Sequence, residues 1–158
     1  MNNLAQIIAY YCINYPYPQE LSDARLTKMV YLSDWFASLS FGHQLTEISW
    51  YFNHYGPYVD DISATAQAYP NMFNISFDQN YYGNTKKTIQ YVGEQSLINI
   101  DEKTKVILDT VMDKTKHMYF NDFINFVYST FPIAKNDRYA YLNLPELAEE
   151  YKDILLSK

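Results

Sequence analysis

The sequence predicts a mainly α-helical fold: a single compact helical domain over residues 1–158 with a small β-hairpin. Three observations carry that expectation. Apolar residues recur at helical spacing in segments opened by capping residues and closed by Gly or Pro. Strand-like pattern is confined to two short regions. No internal repeat, low-complexity tract or linker divides the 158 residues, a length that fits one domain with its own core.

The first helix is predicted from Leu4, Ile7, Ile8 and Tyr11, with Asn3 available as its cap and Pro16 ending it. A second opens at Ser22, carries Asp23 in its first turn, and runs to about Phe41 before stopping at Gly42. Leu26, Met29, Val30, Leu32, Phe36, Ala37 and Leu39 cover one broad arc of it, with Ser33 and Ser40 inside that arc. Lys28, Tyr31 and Trp35 form a stripe on the other side, near Asp34. A helix apolar over so much of its circumference is central to a fold. The stripe is then either a second packed face or an aromatic contact site.

The stretch Ile48–Tyr55 has β propensity with poor alternation and runs into Gly56-Pro57, which is expected to turn the chain. Residues 58–68 suit a short helix. A hairpin follows, with Phe73–Phe77 and Thr88–Val92 as strands and Gly83-Asn84 in the turn. Asp101 can cap a helix over 102–116 whose Ile107, Leu108, Val111 and Met112 share a side, flanked by Lys103, Lys105, Lys114 and Lys116. Another helix is expected over 121–130, ending before Pro132. The last opens with Asn143 as cap, Pro145 in the first turn and Glu146 completing a capping box. Its stripe is Leu144, Leu147, Ala148, Tyr151, Ile154 and Leu155.

Composition narrows the function classes. The net charge of −6 and the absence of a basic stripe argue against general nucleic-acid binding, which rests on neutralising phosphates. The lone Cys12 forms no internal disulfide and is expected to be a buried thiol. Met1-Asn2-Asn3 lacks a basic-then-apolar signal pattern, and no apolar run approaches the roughly 20 residues needed to cross a bilayer. The expectation is a soluble cytoplasmic protein. The 17 Tyr, 9 Phe and 2 Trp supply rings that serve cores and interfaces alike.

Catalytic patterns are thin. His43, His54 and His117 have no Cys or second His at metal-ligand spacing, so no metal site is expected. Four glycines make no phosphate loop, and no GxSxG elbow is present. The adjacent pairs Asp60-Asp61 and Glu149-Glu150 point about 100° apart on a helix and share no substrate face. No catalytic residue, cofactor or enzymatic activity is expected. The competing reading is an enzyme that uses His54 as a general base with Asp60 or Asp61.

Two segments together resemble a known family. Leu26-Thr27-Lys28-Met29-Val30-Tyr31-Leu32-Ser33-Asp34-Trp35 is similar to the KLLY-type helix of the Panacea domain, the SocA-like antitoxin family. Tyr51-Phe52-Asn53-His54-Tyr55-Gly56-Pro57-Tyr58-Val59 resembles its aromatic segment ending in YGP. The likeness is strongest over residues 4–65, and Val127–Pro132 looks like a late family helix. Met29 and Val30 stand where Leu-Leu is commoner, and His54 stands at a position often basic in relatives.

The resemblance implies a mainly α-helical antitoxin that neutralises a cognate toxin protein by direct contact. It also implies an association with toxin–antitoxin pairs, prophages and other mobile elements, and in some relatives an adaptor role that hands the toxin to a protease. An acidic surface would suit a basic toxin. Partner-binding candidates are Lys28, Tyr31, Trp35, His54, Tyr55, Gly56 and Pro57, as contacts or as scaffold. The alternative is a phage or mobile-element inhibitor of a host defence protein.

Overall fold

The computed structural model describes residues 1–79, 83 and 85–158. Among them the helices are α1 (Asn3–Asn14), α2 (Asp23–Phe41), α3 (Asp61–Ala68), α4 (Glu102–Thr115), α5 (Phe120–Ser129), α6 (Phe131–Lys135) and α7 (Leu144–Leu156). Strands β1 (Tyr51–Asn53) and β2 (Gly56–Tyr58) form one antiparallel pair, and β3 (Phe73–Gln79) and β4 (Thr85–Tyr91) another. The mainly helical expectation holds, with one two-stranded sheet more than the sequence predicted.

Helix α2 is the axis of the fold. Ser22 caps it by accepting from Arg25 N, and Gly42 closes it at φ +80°, a left-handed conformation that glycine adopts without a Cβ penalty. Helices α1, α3, α4, α5 and α7 and strands β2 and β4 pack around it. With neighbours on all sides, α2 buries most of its apolar arc, with Phe36 and Leu39 partly covered, and the whole of the Lys28–Tyr31–Trp35 stripe. Tyr31 and Trp35 extend the core, where Tyr31 meets Trp50 edge to face with ring centres 5.6 Å apart.

Polar groups on a buried helix need partners. Arg25 lies against the rings of Tyr15 and Phe123, 5.5 and 4.4 Å from their centres, and donates to the carbonyls of Thr115 and Met118. It thereby ties α2 to the C-terminal end of α4. Tyr31 Oη and Thr130 Oγ1 share a hydrogen bond of 2.8 Å, and Ser33 donates to Met29 O. Arg25 Nε, Thr27 Oγ1 and Tyr15 Oη are buried without a partner among the described residues.

Several boundaries differ from expectation. The cap of α1 is Asn2, which accepts from Ala5 N, and Asn3 instead donates to Leu45 O. Both residues can cap, and the long-range bond decides between them. The β3–β4 ladder is longer than expected, with Phe73 opposite Tyr91 and Gln79 opposite Thr85. Gly83 takes a left-handed φ of +80°, while Asn84 lies outside the described residues. Pro132 does not merely end a helix. It occupies the first turn of α6, where its missing N–H costs no hydrogen bond.

Candidate partner-binding face

The face begins with a buried carboxylate. Asp34 is fully enclosed on α2 and accepts from Leu45 N (2.9 Å), Thr46 N (3.0 Å), Thr46 Oγ1 (2.5 Å), Trp50 Nε1 (2.8 Å) and Gln44 Nε2 (3.4 Å). Burial pushes its pKa up to about 6, and the donors from Thr46, Trp50 and Leu45 hold it from rising further. One charge therefore gathers the segment 44–50 and delivers the chain to β1 in a fixed position.

Strands β1 and β2 pair Tyr51 with Tyr58, Phe52 with Pro57 and Asn53 with Gly56. The turn is thus His54-Tyr55, two residues earlier than the sequence suggested, and Gly56-Pro57 belongs to the second strand. Gly56 takes φ +93°, which suits the residue leaving a tight hairpin. It is also pressed against a side chain: a Cβ there would lie 2.7 Å from Tyr128 Cε1. The Tyr-Gly-Pro string therefore has a physical division of labour. Tyr55 is 71% exposed, Gly56 lets the hairpin close on α5, and Pro57 is buried opposite Phe52.

A third extended piece, residues 138–142, joins the other edge of β1. Tyr139 N donates to Phe52 O, Phe52 N to Ala140 O, and Leu142 N to Trp50 O. Two residues, Tyr139 and Ala140, thus oppose the single Phe52, which is a β-bulge. Its first residue takes the left-handed conformation customarily filled by Gly, and here it is Tyr139, at φ +68°. Tyr139 is the one described non-glycine residue with positive φ, at a cost of about 1–2 kcal/mol.

The result is a row of exposed rings on a hydrogen-bonded support. Tyr55, Tyr139 (64% exposed) and Tyr141 (75% exposed) stand on it with His54 and Arg138. Tyr51 and Tyr141 are in ring contact at 5.0 Å, and His54 and Tyr55 at 4.9 Å. Arg138 Nε donates to His54 O at 3.3 Å, and its guanidinium lies 5.7 Å from the Phe52 ring centre.

The seven sequence candidates divide accordingly. His54 and Tyr55 lie on the face. Gly56 and Pro57 are buried within its support. Lys28 (2% exposed), Tyr31 and Trp35 (3% exposed) lie inside the domain, so the stripe offers no surface for a partner. Periodicity placed these three together, but the elements that cover them come from distant parts of the chain. Tyr139, Tyr141 and Arg138 were missed. The alternating Tyr139–Tyr141 pair beside Asn136-Asp137 was the available signal for an extended segment. Asp60 accepts from Tyr58 Oη, and no described carboxylate stands within ion-pair distance of His54.

Among the described residues, no group of three or more His, Cys, Asp or Glu is arranged to hold a metal ion. No helix there is long and apolar enough to cross a membrane. The fold and this face together define a helical domain with a tyrosine-rich hairpin. The family described as antitoxin SocA-like, Panacea domain, matches residues 26–132, well over half of the chain, and the protein belongs to that family. The match runs from α2 through the Tyr-Gly-Pro hairpin and the β3–β4 region to the Val127–Pro132 stretch, and it does not take in residues 4–25, where the resemblance was expected to begin. Comparison with curated proteins and with solved structures gives no match.

Proposed function

We propose that this protein is an antitoxin that neutralises a cognate toxin protein by direct contact through the tyrosine-rich hairpin face. The observation that carries the reading is the row of exposed Tyr55, Tyr139 and Tyr141 on a support fixed by backbone bonds and by the Asp34 node. Rigid amphipathic rings with a neighbouring arginine have the composition of interface hot spots. Holding Tyr139 in a conformation that glycine would adopt at less cost suits a position kept for its side chain. Membership in an antitoxin family supports the toxin as partner. The net charge of −6 favours encounter with a basic one. On this reading the protein works in the cytoplasm as a binding protein and has no chemistry of its own.

The test is co-expression with the product of the adjacent reading frame. The wild type should rescue growth and co-purify with that product. Tyr55→Ala and Tyr139→Gly should weaken co-purification at least tenfold, since hot-spot truncations cost about 2 kcal/mol or more. Both variants should unfold within about 0.5 kcal/mol of the wild type or, for Tyr139→Gly, later, because these side chains are exposed. A wild type that neither rescues growth nor co-purifies sinks the proposal, and so does full binding by both variants.

A further inference from the structure

The support of the tyrosine row has one edge that no described residue closes. Tyr51 and Tyr141 face each other as the pair between two ladder bonds, Phe52 N to Ala140 O and Leu142 N to Trp50 O. In an antiparallel ladder, the N–H and C=O of such a residue point away from its opposite number. The main-chain groups of Tyr141 therefore point outward, away from β1, and neither bonds to a described backbone group. Asn143 N, two residues on and on the same side of the alternation, likewise donates to no described backbone carbonyl. The bulge at Tyr139 ends this edge on one side and the first turn of α7 on the other, so it offers a short row centred on residues 141–143.

Beside the edge lies an open groove of about 590 Å³. Ile48, Trp50 and Leu142 lie beneath it and are themselves buried, so its accessible lining is the half-buried Pro145 and Gln44 with the exposed Ser49, Tyr141 and Asn143. Gln44 is already committed, donating to the carbonyls of Thr46 and Ile48. The apolar surface that the groove shows to whatever lies along Tyr141 is therefore that of Pro145 and of the Tyr141 ring itself.

We propose that the partner docks as a β-strand: a short extended segment of the toxin pairs with the N–H and C=O of Tyr141 and with the N–H of Asn143, whose carbonyl already accepts from Leu147 N, and sets an apolar side chain into the groove. This rests on the reading of the face as the toxin-binding site and adds its mode of recognition. Main-chain bonds supply sequence-tolerant affinity in such pairing, and the side-chain groove supplies selection. A helix presents no free row of N–H and C=O groups, so it cannot satisfy this edge. An extended segment satisfies it without rearrangement.

The test uses the purified complex of the full chain with the product of the adjacent reading frame, and synthetic peptides tiling that product. Amide exchange of Tyr141 and Asn143 should slow at least tenfold on complex formation. Tyr141→Pro, which removes the outward N–H, should bind about tenfold more weakly than Tyr141→Ala, which removes only the ring. A single tiled peptide with an apolar residue should bind the wild type and lose affinity to Tyr141→Pro. A complex in which both amides exchange as fast as in the free protein overturns strand docking and leaves the neutralisation reading standing. Absence of any complex overturns both. The exchange measurement uses the wild type, so it decides the matter even if Tyr141→Pro fails to fold.

Discussion

Lys28 shows how a single buried residue shapes the behaviour of the domain. Its ammonium is buried on α2, and desolvation pulls its pKa down to about 8, with Asp23 as the carboxylate that holds back the shift. The unfolded chain has the ordinary lysine value, so between about 8 and 10.5 the folded state binds fewer protons than the unfolded one. Stability therefore rises with pH through that window. Above about pH 10 the trend reverses, because burial holds Tyr11 and Tyr31 protonated in the fold while unfolded tyrosines ionise. Lys28→Met should gain about 1–3 kcal/mol at pH 7 and flatten the rise between pH 8 and 10. Denaturant melts across that range check it, and an unchanged slope would show that Lys28 is not the source. Asp34 acts in the opposite sense at lower pH: its raised pKa means stability is lost as pH climbs from the unfolded carboxylate value to about 6.

At the scale of the element, the β1–β2 hairpin is held by what touches its turn. Gly56 combines a left-handed backbone with contact against Tyr128, so alanine there meets both a conformational penalty and a ring. Gly56→Ala should destabilise the protein by about 1–3 kcal/mol. Adding Tyr128→Ala should return only part of the loss, because the φ of +93° still disfavours a Cβ. Urea denaturation of the two variants checks this, and full recovery in the double variant would place the whole cost on the ring. Helix α2 teaches the complementary lesson. Ser22, Asp23 and Gly42 mark its ends in the sequence because capping chemistry is local. Nothing local signals that Lys28 would be enclosed.

Across the whole molecule, one buried cluster takes side chains from α1 to α7 and from β1, β3 and β4, and Cys12 sits within it. Its thiol points at the Ile89 carbonyl at 3.6 Å, and burial pushes its pKa up to about 12. Thiol-specific reagents should therefore modify Cys12 only through opening of the core, at a rate that rises with denaturant as unfolding does. Rapid modification under native conditions would show that α1 separates from β4 on its own. The surface behaves differently. The aromatic surplus divides among this cluster, the hairpin face and other exposed positions such as Phe77, Tyr119 and Phe120, and sequence composition contained no information about which rings went where.

The sequence by itself determined every described helix except α6, most of their ends, and the family, because periodicity, caps and the Leu26–Trp35 and Tyr51–Val59 segments are written within short stretches of chain. It also marked His54 and Tyr55 as candidates. Tertiary structure alone decided that Lys28, Tyr31 and Trp35 face inward, and that Tyr139 and Tyr141 join the hairpin from more than eighty residues away. It likewise decided that Asp34 ties the approach to β1. The physical reason is common to all three. A local pattern fixes the direction in which a side chain leaves its helix or strand, whereas burial and strand pairing depend on which distant segment arrives to meet it.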